Sequence, residues 1–135
     1  KIITKNPSCL FDKNKRNLKF HFDLMHGYNN LNKAIDLLDA NNKNDFNDYV
    51  NSNVSFNPHN MFICKSKKLL KEYYSNLFPW LERCEKLFGF KDLKGFGKIR
   101  IYTFLAERFM PYWFNKNTKA KTMSIIFYDI RKDIK

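Results

Sequence analysis

One stretch, "RIYTFLAERFMPYWF" at residues 100–114, limits the fold more than any other. Written as a helix it is apolar over most of its perimeter: Ile101, Tyr102, Phe104, Leu105, Phe109, Tyr112 and Trp113 leave one polar line. That line is Arg100, Thr103 and Glu107, spaced three and four residues apart and so stacked over two turns. A helix with so little polar perimeter has to be covered by other elements on most sides. Its carboxylate lies among Leu105, Ala106, Phe109 and Met110. A carboxylate so placed is paired with Arg100 or Arg108, or held for a reaction, or both. Pro111 displaces the hydrogen bond to the carbonyl of Glu107, which makes the backbone irregular at this acid. We expect Arg100 and Glu107 to face a cleft shared with His26 rather than open solvent.

Cover for that helix comes from the rest of the chain. Residues 15–26 carry Leu18, Phe22 and Met25 at helical spacing, and Gly27 is a natural stop. A second helix is expected from about residue 30 to 39, with Leu31, Ala34, Ile35 and Leu38 on one face. "ANNKND" (40–45) reads as a polar break, and "DFNDYV" (45–50) as one or two helical turns. "NMFICK" (60–65), preceded by Pro58, is short, apolar and β-prone, which predicts a buried strand. The longest helical signal follows over residues 66–88, where Leu70, Tyr73, Leu77, Leu81, Cys84 and Phe88 keep the three-four rhythm. Pro79 inside it predicts a kink or a restart. "GFKDLKGFGK" (89–98) holds three of the four glycines and reads as a loop. "KIIT" (1–4) and "TMSIIFYDI" (122–130) read as short strands. The sum is one domain over residues 1–135, mostly helical, with a few short strands that make no complete sheet.

Hydrophobic residues at 44% and aromatics at 17% exclude a disordered chain and fit one packed core. A formal charge of +12 invites a polyanion: nucleic acid, an anionic membrane surface or a phosphorylated small molecule. Lysine and asparagine are scattered throughout, so the charge is also that of a solvated surface. "KSKKLLKEYY" (65–74) is a basic amphipathic helix start, read either as a solvated face or as a contact for anionic headgroups. Cys9, Cys64 and Cys84 are odd in number and widely spaced, which suits a reducing compartment and no disulfide framework. His21 and His26 are five apart and do not share a helical face, so they form no zincin-type pair. "GFGK" is too short for a phosphate-binding loop, and no G-x-S-x-G elbow exists. His26 itself sits at a helix end, where the dipole favours a cation; it reads as a capping histidine or as a ligand group.

Three segments in order resemble a known bacterial family: "HFDLMHGYNNLNKAIDLL" (21–38), "FNPHNMFICKSKKLLKEYYSNLFPWLERCEK" (56–86) and "RIYTFLAERFMPYWF" (100–114). The family is catalogued as a domain of unknown function (number 4422) and described as a capsular or exopolysaccharide glycosyltransferase. Its pattern H-x-x-x-D-L, Y-N-M-F-I, Y-C-x-W-L-F-x-I-L, R-V-x-G-F-L-x-E-R-L-x-x-x-W is met here by several groups of residues. They are His26, then Asn60 to Ile63, then Tyr74, Leu77, Phe78 and Leu81, then Arg100, Phe104, Leu105, Glu107, Arg108 and Trp113. Asn30 stands where the family has Asp, His59 where it has an aromatic, and Thr103 where it has Gly. The family's N-terminal Y-W-x-W-K-N and H-Y-R-R stretches are not in this sequence.

The resemblance implies a helix-rich α/β fold, the later, acceptor-side part of a GT-A-like glycosyltransferase. "KIIT" then resembles the strand at which the second half begins, and the chain, which opens on Lys, is expected to be a piece of something longer. The implied reaction moves a sugar from a nucleotide-diphosphate donor to a glycan or lipid-linked glycan acceptor in surface polysaccharide synthesis (capsule, exopolysaccharide or lipopolysaccharide). It implies Glu107 as base or acceptor-orienting group, and Arg100 and Arg108 as cations for the diphosphate or for holding Glu107. His26 would meet phosphate or metal, Asn60 the substrate, and Trp113 would stack on a sugar ring. No cofactor site is evident; a divalent metal, magnesium or manganese, would belong to the complete enzyme. The expected place is the cytoplasm, with peripheral contact on the anionic inner face of the membrane and no nucleic-acid partner. The isolated chain is expected to be inactive. The alternatives are a non-catalytic remnant and a basic nucleic-acid-binding module.

Overall fold

The computed structural model describes residues 16–123 together with the backbone of the strand β1, Leu10–Phe11. The strand expected at "KIIT", Cys9 and all but the first two residues of "TMSIIFYDI" lie outside the described residues; Thr122 and Met123 are not in a strand. Of what is described, 67% is helical, so the helix-rich expectation holds.

The first helix, α1 (Leu18–His26), starts where the Asn17 side chain accepts from the Phe20 amide at 2.8 Å, and it ends at Gly27 with φ 101°. A left-handed Asn29 (φ 63°) turns the chain into α2 (Asn30–Asp36). That helix stops short of residue 39, because the Leu37 and Leu38 amides tighten onto the Ala34 and Ile35 carbonyls.

The polar break expected at 40–45 is instead the start of a helix, α3 (Ala40–Ser52). Asp39 caps it by accepting from the Asn41 amide at 3.1 Å. Polar composition misled here because most of these side chains form a solvated face, while Asn42 turns inward with its amide satisfied. Its Nδ2 donates to Asp39 Oδ1 (3.1 Å) and Asn76 Oδ1 (2.8 Å), and its Oδ1 accepts from the Tyr112 hydroxyl at 3.1 Å. A buried amide with partners on other helices is stable where an orphan would not be.

After α3 the strand β2 (Ser55–Phe56) pairs antiparallel with β1, Leu10 opposite Phe56 and Phe11 opposite Ser55. The buried strand expected at "NMFICK" does not form: residues 61–66 have no regular structure, and Met61 and Ile63 are 61% and 87% exposed. Only Phe62 turns inward, onto Tyr73 (5.5 Å between ring centres) and Phe114 (4.8 Å). Among the described residues no strand lies beside it to complete a ladder, and an apolar triplet without one has no reason to stay extended and buried.

The long helix α4 (Lys67–Phe88) is continuous, capped by Ser66 on the Leu69 amide. It does not restart at Pro79, which lies on its exposed side, where water can reach the carbonyl freed by the missing N–H. Residues 89–95 form the expected loop, but its end winds into one helical turn, α5 (Phe96–Ile99), leading directly into α6 (Ile101–Asn117).

Helix α6 packs along α4 on one side and against α3 on another, while α1, α2 and α3 pack on one another. Leu105, Ala106, Phe109, Met110, Pro111, Tyr112 and Trp113 are all buried, as its nearly unbroken apolar perimeter requires. Phe46 of α3 meets Trp80, Phe109 and Tyr112 at 5.8, 5.5 and 5.1 Å, joining three helices in one aromatic core. Two polar ties fix α4 to the end of α2: Trp80 Nε1 donates to the Ala34 carbonyl and Arg83 Nε to the Leu37 carbonyl, each at 2.7 Å. Among the described residues no helix is long and apolar enough to cross a membrane.

Candidate functional site

Because α1 stops at Gly27, His26 is its last residue, and its ring is turned inward at 4% exposure. Asn30 holds that end: its Nδ2 donates to the His26 carbonyl at 2.9 Å. An aspartate at this position has no hydrogen to give, so the asparagine here has a structural use. The α5 turn lies against the same end, and His26 Nδ1 is 3.0 Å from the Gly97 carbonyl. A carbonyl only accepts, so Nδ1 carries the hydrogen. The Phe104 ring stacks on the imidazole at 4.0 Å and 20°, and Phe22 meets it edge-on at 4.7 Å. Burial lowers the His26 pKa to about 4, the Arg108 charge adds to the effect, and the Gly97 hydrogen bond only partly opposes it. Burial thus outweighs the helix dipole, and His26 is neutral at pH 7.

The positive charge of the cluster comes from Arg108, which is 4% exposed. Its guanidinium carbon lies 4.4 Å from the centre of the Phe56 ring, 5.2 Å from Phe22 and 5.9 Å from Phe104. Aromatic faces carry partial negative charge and so tolerate a cation that aliphatic walls would reject. Nη1 donates to the Phe104 carbonyl at 3.2 Å and lies 3.6 Å from Glu107 Oε2, whereas Nε is buried without a hydrogen-bond partner. Burial lowers the Arg108 pKa to about 10, with Glu107 opposing, so the group stays charged at neutral pH.

Glu107 keeps 12% of its side chain exposed against 5% for Arg108. Of the pair, the carboxylate is the member that reaches solvent. Arg100 is not in a shared cleft with it. It is exposed at the joint between α5 and α6, its guanidinium carbon 5.1 Å from the Phe96 ring and 5.5 Å from the Phe104 ring. The expected grouping of Arg100 and Glu107 around His26 is therefore corrected. His26, Arg100 and Arg108 converge on Phe104, and Glu107 joins through Arg108.

The other residues singled out in the sequence lie apart. Asn60 is exposed, its Nδ2 3.3 Å from the Thr103 carbonyl, so it ties the 57–66 segment to α6. Trp113 is 3% exposed, packed on Tyr73 (5.4 Å) and Phe114 (5.3 Å), and presents no face to a sugar. The cluster does not suit a divalent cation: Arg108 lies beside His26, whose Nδ1 already faces Gly97. Among the described residues no three histidine, cysteine or carboxylate groups converge.

Two residues at the centre of the cluster carry no site role in the sequence reading, although Phe104 is among those that meet the family pattern. Phe104 is one apolar residue among many in its helix. Gly97 was read as loop flexibility, yet a Cβ there would stand 2.1 Å from the Met25 carbonyl oxygen and 3.3 Å from His26 Nδ1. It is a close-approach glycine. The fact that Gly97 lies inside a turn ending at a helix start was the only sequence hint.

No curated protein and no solved structure matches the chain. The model of the family described as "Domain of unknown function (DUF4422)" matches residues 1–118, a span that includes every residue of the cluster. Covering most of the 135 residues, this match places the chain in the DUF4422 family.

Proposed function

We propose that the chain is the acceptor-side part of a GT-A-like glycosyltransferase acting in bacterial surface polysaccharide synthesis. The observation that carries this reading is the partly exposed Glu107 carboxylate held beside the buried Arg108 guanidinium. Membership of the DUF4422 family supports it through the resemblance described above.

The chemistry assigns distinct roles to the two arginines. Sugar transfer forms a bond from the acceptor hydroxyl oxygen to the anomeric carbon and breaks the bond from that carbon to the diphosphate. The hydroxyl proton goes to a base, and the nucleoside diphosphate leaves with the bonding electrons. Glu107 takes the proton or orients the hydroxyl. Arg108, too buried to reach a ligand, holds Glu107 in place from 3.6 Å away. Arg100, exposed about two helix turns before Glu107, is the cation available to the departing diphosphate. Neutral His26 orders the Phe104 ring between them. A divalent metal bound by the complete enzyme would lie outside this cluster.

The test is Glu107→Gln in a full-length enzyme that contains this sequence. Size and hydrogen bonding are kept while base and charge are lost, so turnover falls by about two to four orders of magnitude, with circular dichroism reporting that the fold is kept. Near-normal turnover would make Glu107 a structural partner of Arg108, and the non-catalytic reading would stand.

A further inference from the structure

Away from the His26 cluster, one end of the molecule combines exposed apolar side chains with lysines. Ile63 and Met61 project from the irregular 57–66 segment. On α4, Tyr74, which lines a groove with Met61, stacks on Phe78 at 5.1 Å, with 37% and 53% of their surface exposed. Between segment and helix runs an open groove of about 470 Å³, walled by Met61, Phe62, Cys64, Leu70 and Tyr74. Asn57 Nδ2 is 3.3 Å from Thr122 Oγ1, which brings the chain after α6, with exposed Met123, to this end.

The charges here are nearly all positive. Lys65, Lys67, Lys68 and Lys71 are exposed around the start of α4, and Lys119 and Lys121 on the segment after α6. Residues 57–76 contain a single acid, Glu72, which lies 4.0 Å from Lys68, and residues 116–123 contain none. On the helix, Lys67, Lys71, Tyr74 and Phe78 recur every three or four residues, so cations and aromatics share one stripe beside the groove.

We propose that this end docks on an anionic lipid bilayer. Ile63, Met61 and the Tyr74–Phe78 pair enter the boundary between headgroups and acyl chains. The lysines hold lipid phosphates, with their stems lying along the apolar surface. Ile63 decides between this partner and a nucleic acid. A branched aliphatic side chain 87% exposed on an irregular segment offers a base neither a stacking face nor a hydrogen bond, yet it gains by leaving water. The cations are all lysines with no arginine, which suits diffuse attraction to a charged surface rather than bidentate reading of a base. This inference is independent of the glycosyltransferase reading, because the surface shares no residue with the Glu107–Arg108 pair.

The experiment is co-sedimentation of the chain with vesicles of phosphatidylcholine containing roughly a third phosphatidylglycerol, against pure phosphatidylcholine, over a salt series. Partition onto the anionic vesicles is expected to exceed that onto neutral ones and to fall as salt rises. Lys67→Glu with Lys71→Glu should weaken it at least about fivefold per position. The charge-matched Lys33→Glu with Lys91→Glu, exposed elsewhere, should weaken it far less. Ile63→Ser should weaken it about tenfold at constant charge. Circular dichroism of each variant reports that the fold is kept. Equal partition onto both vesicle types, equal effects of the two charge-reversed pairs, or full binding by Ile63→Ser would each overturn the proposal. So would tight binding of single-stranded DNA that Ile63→Ser leaves unchanged while vesicles go unbound.

Discussion

Replacing Gly97 by alanine sets two physical effects of opposite sign against each other. Gly97 lies within the α5 turn, and its backbone is not in the left-handed region that favours glycine. By helix propensity alone, Gly97→Ala would stabilise the chain by up to about 1 kcal/mol. The surroundings predict the reverse. The new Cβ would stand 2.1 Å from the Met25 carbonyl oxygen, roughly 1 Å inside ordinary contact, and the obstacle is backbone rather than a flexible side-chain tip. Overpacking of that kind costs about 1–3 kcal/mol. Moving α5 away also breaks the His26–Gly97 hydrogen bond, leaving a buried ring N–H unpaired at about 1–3 kcal/mol more. Set against the propensity gain, the sum is a loss of about 1–5 kcal/mol, bounded above by the free energy that docks α5. Urea unfolding followed by circular dichroism measures the global part. The local part is read from the His26 ring by NMR titration, because undocking α5 admits water and moves its pKa up from about 4 towards 6.5. A Gly97→Ala chain at least as stable as the parent, with an unmoved His26 titration, would refute the close-approach argument.

The same histidine sets an acid sensitivity. Its folded pKa of about 4 lies below the ordinary 6.5, so between those values the unfolded chain binds a proton that the folded chain refuses. Stability attributable to His26 is full above about pH 6.5 and falls as pH drops, by at most about 3 kcal/mol at pH 4; a His26→Gln chain whose stability fell as steeply would assign the effect elsewhere. Asn42→Ala removes the amide shared by Asp39, Asn76 and Tyr112, and denaturant unfolding should show a loss of about 1–3 kcal/mol; a change below about 0.5 kcal/mol would mean water replaces the amide. Burial pushes the Cys84 thiol up to about 12, whereas Cys64 is only half-buried. Iodoacetamide at pH 8 should therefore label Cys64 well before Cys84 in the folded chain, and equal rates by mass spectrometry would contradict the packing of α4.

Elements were legible wherever a periodic apolar face coincided with a local stop or start signal. Helices α1 and α4 have such faces, punctuated by Asn17 and Gly27 and by Ser66 and Gly89, whereas α6 was legible from its nearly unbroken apolar perimeter alone. The two misread segments failed for one shared reason. At residues 40–45 and 60–65, side-chain polarity was taken as a guide to burial, but burial there depends on partners distant in sequence. Asn42 is buried because Asn76 and Tyr112 supply its hydrogen bonds. Ile63 is exposed, and among the described residues no second strand lies beside it. Neither fact has a trace in the residues next to the position concerned.

The site follows the same logic one step further. A helical wheel puts Arg100, Thr103 and Glu107 on one line and singles out the acid, but it treats Arg100 and Arg108 as equal partners for it. What separates them is the material that covers each. Phe22 arrives from α1 and Phe56 from β2, and their ring faces let Arg108 sit inside the core with only a 3.6 Å approach to its carboxylate. Arg100 has Phe96 and Phe104 under one side only, and water on the other. An arginine enclosed by rings keeps its charge and loses its reach; one resting on rings keeps both. That difference, set by two phenylalanines far away in the chain, leaves Arg108 enclosed beside Glu107 and Arg100 exposed at the joint before α6.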